Sequence, residues 1–196
     1  MKKILFAAVS AAALTAFAAP AHAQPAGIRV EAIAGFDSIR ASLNDQPNLP
    51  DNTVGTQGVV FGVAAGFDIP LGSSAAFGID VEATETNNDY TVVEGASTGE
   101  IQVGRDLYAG GRFTVLASDS GNLFFTGGYT NLRARASVTT GATTVTDTDS
   151  IDGLRGGIGA QLNLGANAYL SAQYRYSNYE DDVTRHQGIA GIGFRF

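Results

Sequence analysis

The chain has 196 residues, a formal net charge of −7 and no cysteine. Both lysines, Lys2 and Lys3, stand at the N-terminus, so from residue 24 onward 10 arginines face 19 carboxylates (10 − 19 = −9), which excludes a basic face that tracks nucleic acid. The absence of cysteine excludes disulfides, and the one histidine beyond residue 23, His186, leaves no Cys/His set for zinc.

Lys2 and Lys3 precede an apolar run, residues 4–18, too short for a stop-transfer helix, and Ala21-His22-Ala23 ends in a small-residue cleavage pattern. This predicts a signal peptide over 1–23, cut between Ala23 and Gln24, and one domain over 24–196 (196 − 23 = 173 residues). No later run approaches the roughly 20 apolar residues of a membrane helix.

From residue 28 onward the chain alternates with a period of two, the signature of strands. In residues 28–37, Ile28, Val30, Ala32, Ala34 and Phe36 oppose Arg29, Glu31, Gly35 and Asp37. After a polar loop, 58–69 sets Val59, Phe61, Val63, Phe67 and Ile69 against Gly62, Gly66 and Asp68. A short turn leads to 76–85, where Phe77, Ile79 and Val81 oppose Asp80, Glu82 and Thr84. Beyond a long connection over 86–99, strand 103–116 opposes Leu107, Phe113 and Val115 to Asp106, Tyr108 and Arg112. Strand 123–132 is the least regular, because Phe124 and Leu132 fall opposite Leu123, Phe125 and Tyr129. A third long connection, 133–150, contains Val138 and Val145 around a Thr/Gly centre and suggests a hairpin projecting past the sheet. Strands 151–164 and 168–179 carry Arg155 and Arg175 on their polar faces. The last, 184–196, has Gly188, Ala190, Ile192, Phe194 and Phe196 on one face.

Eight strands joined alternately by short and long connections give an all-β fold: an eight-stranded antiparallel up-and-down transmembrane β-barrel behind a cleaved signal peptide. Both termini and the short turns then share the periplasmic side, and the longer loops are extracellular. Glycine decides which face is inside. Gly62, Gly66, Gly78, Gly110, Gly157, Gly159, Gly191 and Gly193 fall on the charged face, where a narrow eight-stranded lumen needs room. The charged face is therefore the lumen, and Arg29, Glu31, Asp80, Glu82, Asp106, Arg112, Arg155 and Arg175 are expected to form a charge-paired network there. Arg112 is expected to pair with Asp80 or Glu82, and Thr84 to lie at a wet lumen or rim. Apolar-face aromatics fall in two bands, Phe67, Phe77, Phe113, Phe125, Phe194 and Phe196 against Phe36, Phe61, Tyr129 and Tyr176, as interfacial girdles do.

The terminal Ile192, Phe194 and Phe196 resemble the C-terminal sorting signal of bacterial outer-membrane barrels. The run Ala168-Tyr169 through Gln173-Tyr174-Arg175-Tyr176-Ser177-Asn178-Tyr179, then Arg185-His186-Gln187 and Gly193-Phe194-Arg195-Phe196, resembles the small outer-membrane protein A-like and opacity-protein-like surface antigens. The resemblance implies the outer membrane of a Gram-negative bacterium, contact with its lipid and lipopolysaccharide, and recognition of the last strand by the barrel-assembly machinery. A monomer without cofactor is expected, and the chain is expected to depart from the fuller architecture of some relatives, because no peptidoglycan-binding domain follows Phe196.

No catalytic or metal set is expected. His186 has outer-face parity near the extracellular rim, away from Ser171 and Ser177, so a Ser–His pair is not expected. Glu180-Asp181-Asp182 reads as a solvated acidic turn before it reads as a cation site. The expected function is a structural or surface-interaction barrel with a filled lumen; a narrow pore and a lipid-modifying enzyme are the alternatives. Strand number disfavours a wide channel, which takes roughly 16–18 strands.

Overall fold

The computed structural model describes residues 26–42, 53–94, 97–141, 143–180 and 182–196. The expected signal peptide and the Ala23–Gln24 cleavage site lie outside them. The described chain is strand almost throughout: β1 (Gly27–Ser42), β2 (Thr53–Leu71), β3 (Ala75–Thr86), β4 (Asn88–Glu94), β5 (Ser97–Leu116), β6 (Gly121–Thr140), β7 (Thr143–Asn163), β8 (Ala168–Tyr179) and β9 (Val183–Arg195).

All neighbours are antiparallel, and eight strands close into a ring. β3 pairs with β5 on one side of the chain, and β1 pairs with β9 from Arg29↔Arg195 to Ala41↔Val183. The remaining segment, β4, is an upward continuation of β3. The strand breaks at Asn87, whose backbone N–H donates to Val59 O (3.2 Å) while its side-chain Oδ1 accepts from Val59 N–H (2.8 Å). Beyond that break β4 pairs with β5 in a hairpin.

The connections expected at 86–99 and 133–150 are largely ladder instead of loop. β6 and β7 stay in register from Arg133↔Ser150 to Thr140↔Thr143, and Gly141 at the turn takes φ +62°. Alternation fails there because both faces carry polar residues. Thr and Val nevertheless keep the β preference of branched side chains, and Ser137–Thr146 and Thr139–Thr144 hydroxyls bond across the strands (3.2 and 3.0 Å).

Burial is inverted relative to a water-soluble barrel. Phe36 is 77 % exposed and Ile79 64 %, while Arg29 and Asp106 are each 1 % exposed inside. The outward aromatics Phe67, Phe77, Phe113, Phe125, Phe194 and Phe196 lie towards the short turns, and Phe36, Phe61, Tyr129 and Tyr176 towards the opposite rim. An apolar belt between two aromatic bands, over strands with closed ladders, suits hydrocarbon. Phe124 and Leu132, irregular by pattern, are buried in the lumen. Thr84 is packed as well, with 2 % exposure and its hydroxyl facing Asp106 O (3.4 Å), so the expectation of a wet environment is corrected.

Arginine at Val81, exposed on the lipid face in mid-strand, should cost about 2–4 kcal/mol, whereas Ser73→Arg in a short turn should cost near zero. Urea midpoints of the two refolded variants in vesicles check this. Equal midpoints would reverse the inside–outside assignment.

Candidate functional site

The lumen is where chemistry-bearing residues meet. Inward positions recur every second residue on each strand, and neighbouring registers place them in tiers. Arg29 faces Gly66, which faces Asp80 in turn; Glu31 faces Gly193 and Ala64. Small residues are required at these crossings. A Cβ on Gly66 would collide with the Asp80 carboxylate and the Arg29 guanidinium, and one on Gly191 with the Glu31 carboxylate.

Among the described residues, six arginines (29, 112, 155, 175, 185, 195) and six carboxylates (Glu31, Asp37, Asp68, Asp80, Glu82, Asp106) are buried. The lumen is thus formally neutral, which matters because an unbalanced charge there would have no cheap compensation.

Nearest the short turns, Arg29 bridges Asp68 (3.0 Å) and Asp80, and Arg195 reaches Asp68 (3.4 Å). Towards the other rim the charges form one alternating chain contributed by six strands. It runs Asp37–Arg185–Asp106–Arg155–Glu82–Arg175. Arg185 Nε donates to both Asp37 oxygens (2.9 and 3.0 Å), a forked contact suited to guanidinium. Arg175 donates to Glu82 (2.8 Å), and Asp106 also accepts from Thr130 (2.6 Å) and Tyr179 (3.1 Å).

Two charges find only neutral partners. Glu31 accepts from Tyr169 (3.2 Å) and Ser171. Arg112 donates to Thr114 (3.3 Å) and Gln161 (2.9 Å), with its guanidinium carbon 3.7 Å from the Phe124 ring centroid. The expected pair of Arg112 with Asp80 or Glu82 is therefore corrected. Arg112 stands opposite Gly78, below both acids, and they are taken by Arg29 and by Arg155 with Arg175.

The network expected from the sequence left out Asp37, Asp68, Arg185 and Arg195. Alternation already put Asp37, Asp68 and Arg195 on the inward face, and two steps back from Gln187 would have added Arg185. Outside the lumen, Ile192, Phe194 and Phe196 are exposed on the lipid face of β9 and just beyond it. His186 sits outward in an aromatic cluster, its Nδ1 2.7 Å from the Tyr174 hydroxyl and its ring 5.0 Å from that of Tyr176. Ser177 is buried on the other side of the wall, and Ser171 also points inward, towards Glu31. Among the described residues no group of three His, Asp or Glu is placed to hold a metal ion; Asp181 lies outside them.

Residues 7–196 match the model of the outer membrane protein beta-barrel domain. The chain belongs to that family. Among solved structures this barrel is similar to the attachment invasion locus protein Ail of Yersinia pestis (17 % identity, TM-score 0.53, covering 87 % of this chain and 99 % of Ail). It is similar also to Neisserial surface protein A (18 % identity, TM-score 0.57, covering 87 % and 97 %). These likenesses concern the fold. No curated protein matches the sequence.

Asp106 holds Arg155 and Arg185 together, so Asp106→Ala, which takes the shared carboxylate from two buried guanidinium groups and leaves each with a single acid, Glu82 or Asp37, should cost about 3–5 kcal/mol. Arg112→Met leaves no carboxylate bereft of its cation and should cost about 1–2 kcal/mol. Equilibrium unfolding in vesicles, read by gel mobility, gives the order.

Proposed function

We propose that this barrel is a closed-lumen outer-membrane protein that works through its surface, as a structural or surface-interaction protein and not as an enzyme. The observation that carries this reading is the formally neutral set of buried charges across the lumen, six of each sign, ten of them ion-paired in two clusters. Such a set offers neither a wide water path nor a net field to select ions. On this reading residues 1–23 are removed between Ala23 and Gln24, and residues 24–196 form the mature barrel. The termini and short turns are periplasmic, and the β4–β5 and β6–β7 hairpins project outside. The protein is a monomer in contact with lipid and lipopolysaccharide, without cofactor or nucleic-acid partner. Residues 29, 31, 80, 82, 106, 112, 155 and 175 act with the four additional charged groups as the plug.

A narrow pore has one observation in its favour. The Gln187 side-chain amide is buried with neither polar atom hydrogen-bonded, the kind of group that ordered water satisfies. Planar-bilayer recording of refolded protein separates the readings: silence is expected, and reproducible conductance steps would establish the pore.

The last strand closes the ring, and its Ile192, Phe194 and Phe196 side chains are free on the lipid face to be read during assembly. Phe196→Asp should leave export intact and abolish heat-modifiable migration in the outer-membrane fraction. Wild-type migration would remove the sorting role from Phe196.

A further inference from the structure

Of the ten arginines beyond residue 23, six are in the lumen, and three of the remaining four, Arg105, Arg133 and Arg135, line one cleft on the outside of the wall. The cleft holds about 250 Å³ and is completed by Glu85, Gln102, Gly104 and Thr148. A β-bulge builds it. Between Val103↔Ala134 and Asp106↔Leu132, two residues of β5, Gly104 and Arg105, stand against Arg133 alone. The extra residue shifts β5 by one, so that Gln102 comes level with Arg135. Without that shift the face carrying Leu107 would continue into Val103, and Gln102 would face the other way.

The position is informative. Arg133 and Arg135 continue the outward alternation of Phe125 and Tyr129, four and six residues beyond the Tyr129 girdle. At about 3.3 Å per residue on a tilted strand, Arg133 lies roughly 10 Å past the aromatic ring, at headgroup level. Between them Asn131 donates to Asp152 (2.6 Å), which occupies the β7 carboxylate that shares this outward face. No ion pair among the described residues involves the three cleft arginines, whereas the lumen arginines are paired or stacked. Arg105 Nε is buried there without a hydrogen-bond partner. Positive charge collected on the lipid-facing side of a chain that is otherwise strongly acidic calls for an anion from the membrane.

We infer that this cleft binds a phosphate group of the outer-leaflet glycolipid, through guanidinium contacts from Arg105, Arg133 and Arg135. Guanidinium forks match phosphate oxygens, and the orphaned Arg105 N–H gains an acceptor. Glu85, the one acid among the described residues lining the cleft, sets an upper limit on affinity. The inference rests on the orientation proposed above, with the hairpins in the outer leaflet.

The test is native mass spectrometry of refolded, detergent-solubilised full barrel with bisphosphorylated lipid A. Binding in micelles does not depend on how the barrel sits in a membrane or on whether its lumen conducts, so failure here is distinct from failure of the surface-protein reading. Wild type should retain lipid A, and the triple variant R105Q/R133Q/R135Q should lose about tenfold or more in affinity. Arg40→Gln, an exposed outward arginine on β1 across the ring, should change nothing, and Glu85→Gln should tighten binding. Should the triple variant not refold, Arg135→Gln alone, exposed on the hairpin, should weaken binding about threefold. Retention by the arginine variants equal to wild type would overturn the inference. So would equal binding of dephosphorylated lipid A. Displacement of lipid A by millimolar inorganic phosphate would make the cleft a site for free anions and overturn the lipid source.

Discussion

Hydrocarbon offers no hydrogen-bond partner to a bare strand edge, so the seam between β1 and β9 is the contact on which everything else in this molecule depends. It joins the first strand to the last along thirteen residue pairs and can form only when the whole chain has been threaded. Once the ring is shut, each residue is committed to one of two media. The outer half of the alternation can be as apolar as lipid demands, and the inner half must satisfy itself.

That inner half explains why so many charges are tolerated at near-zero exposure. A hydrophobic filling would also pack, yet it would leave a strand apolar on both faces and hard to keep in solution before insertion. Polar filling keeps the unfolded chain water-compatible, and pairing removes the penalty afterwards. The glycines obey the same geometry, since a ring of eight leaves space for arginine on one strand only where its neighbour has none to occupy.

Much of this was legible from period-two alternation, because the medium on each side writes itself into every second residue. The eight strands, the inside–outside choice and the inward position of the charged residues are all visible in it. The partner of each charge was not. Arg112 and Asp80 share parity and approximate height, but tilt and register put Arg29 against Asp80 and leave Arg112 over Phe124. Nor did alternation reveal the ladder over 133–150, where both faces are wet and polarity carries no phase. The bulge at Gly104–Arg105 was hidden for a related reason: a single inserted residue reverses the phase without altering composition.

The unequal strand lengths have a mechanical consequence. β5, β6 and β7 run to 20, 20 and 21 residues, while β8 and β9 stop at 12 and 13. Eight surplus residues at about 3.3 Å each carry β5–β7 some 25 Å further along the strand than β8 and β9, so the mouth is notched where β8 and β9 stop. The tall side is a water-stable ribbon held by its own ladder and by threonine and serine hydroxyls, and it draws no support from hydrocarbon. A molecule approaching from solution on the β5–β7 side meets this ribbon well above the level at which the neighbouring β8 and β9 have already ended.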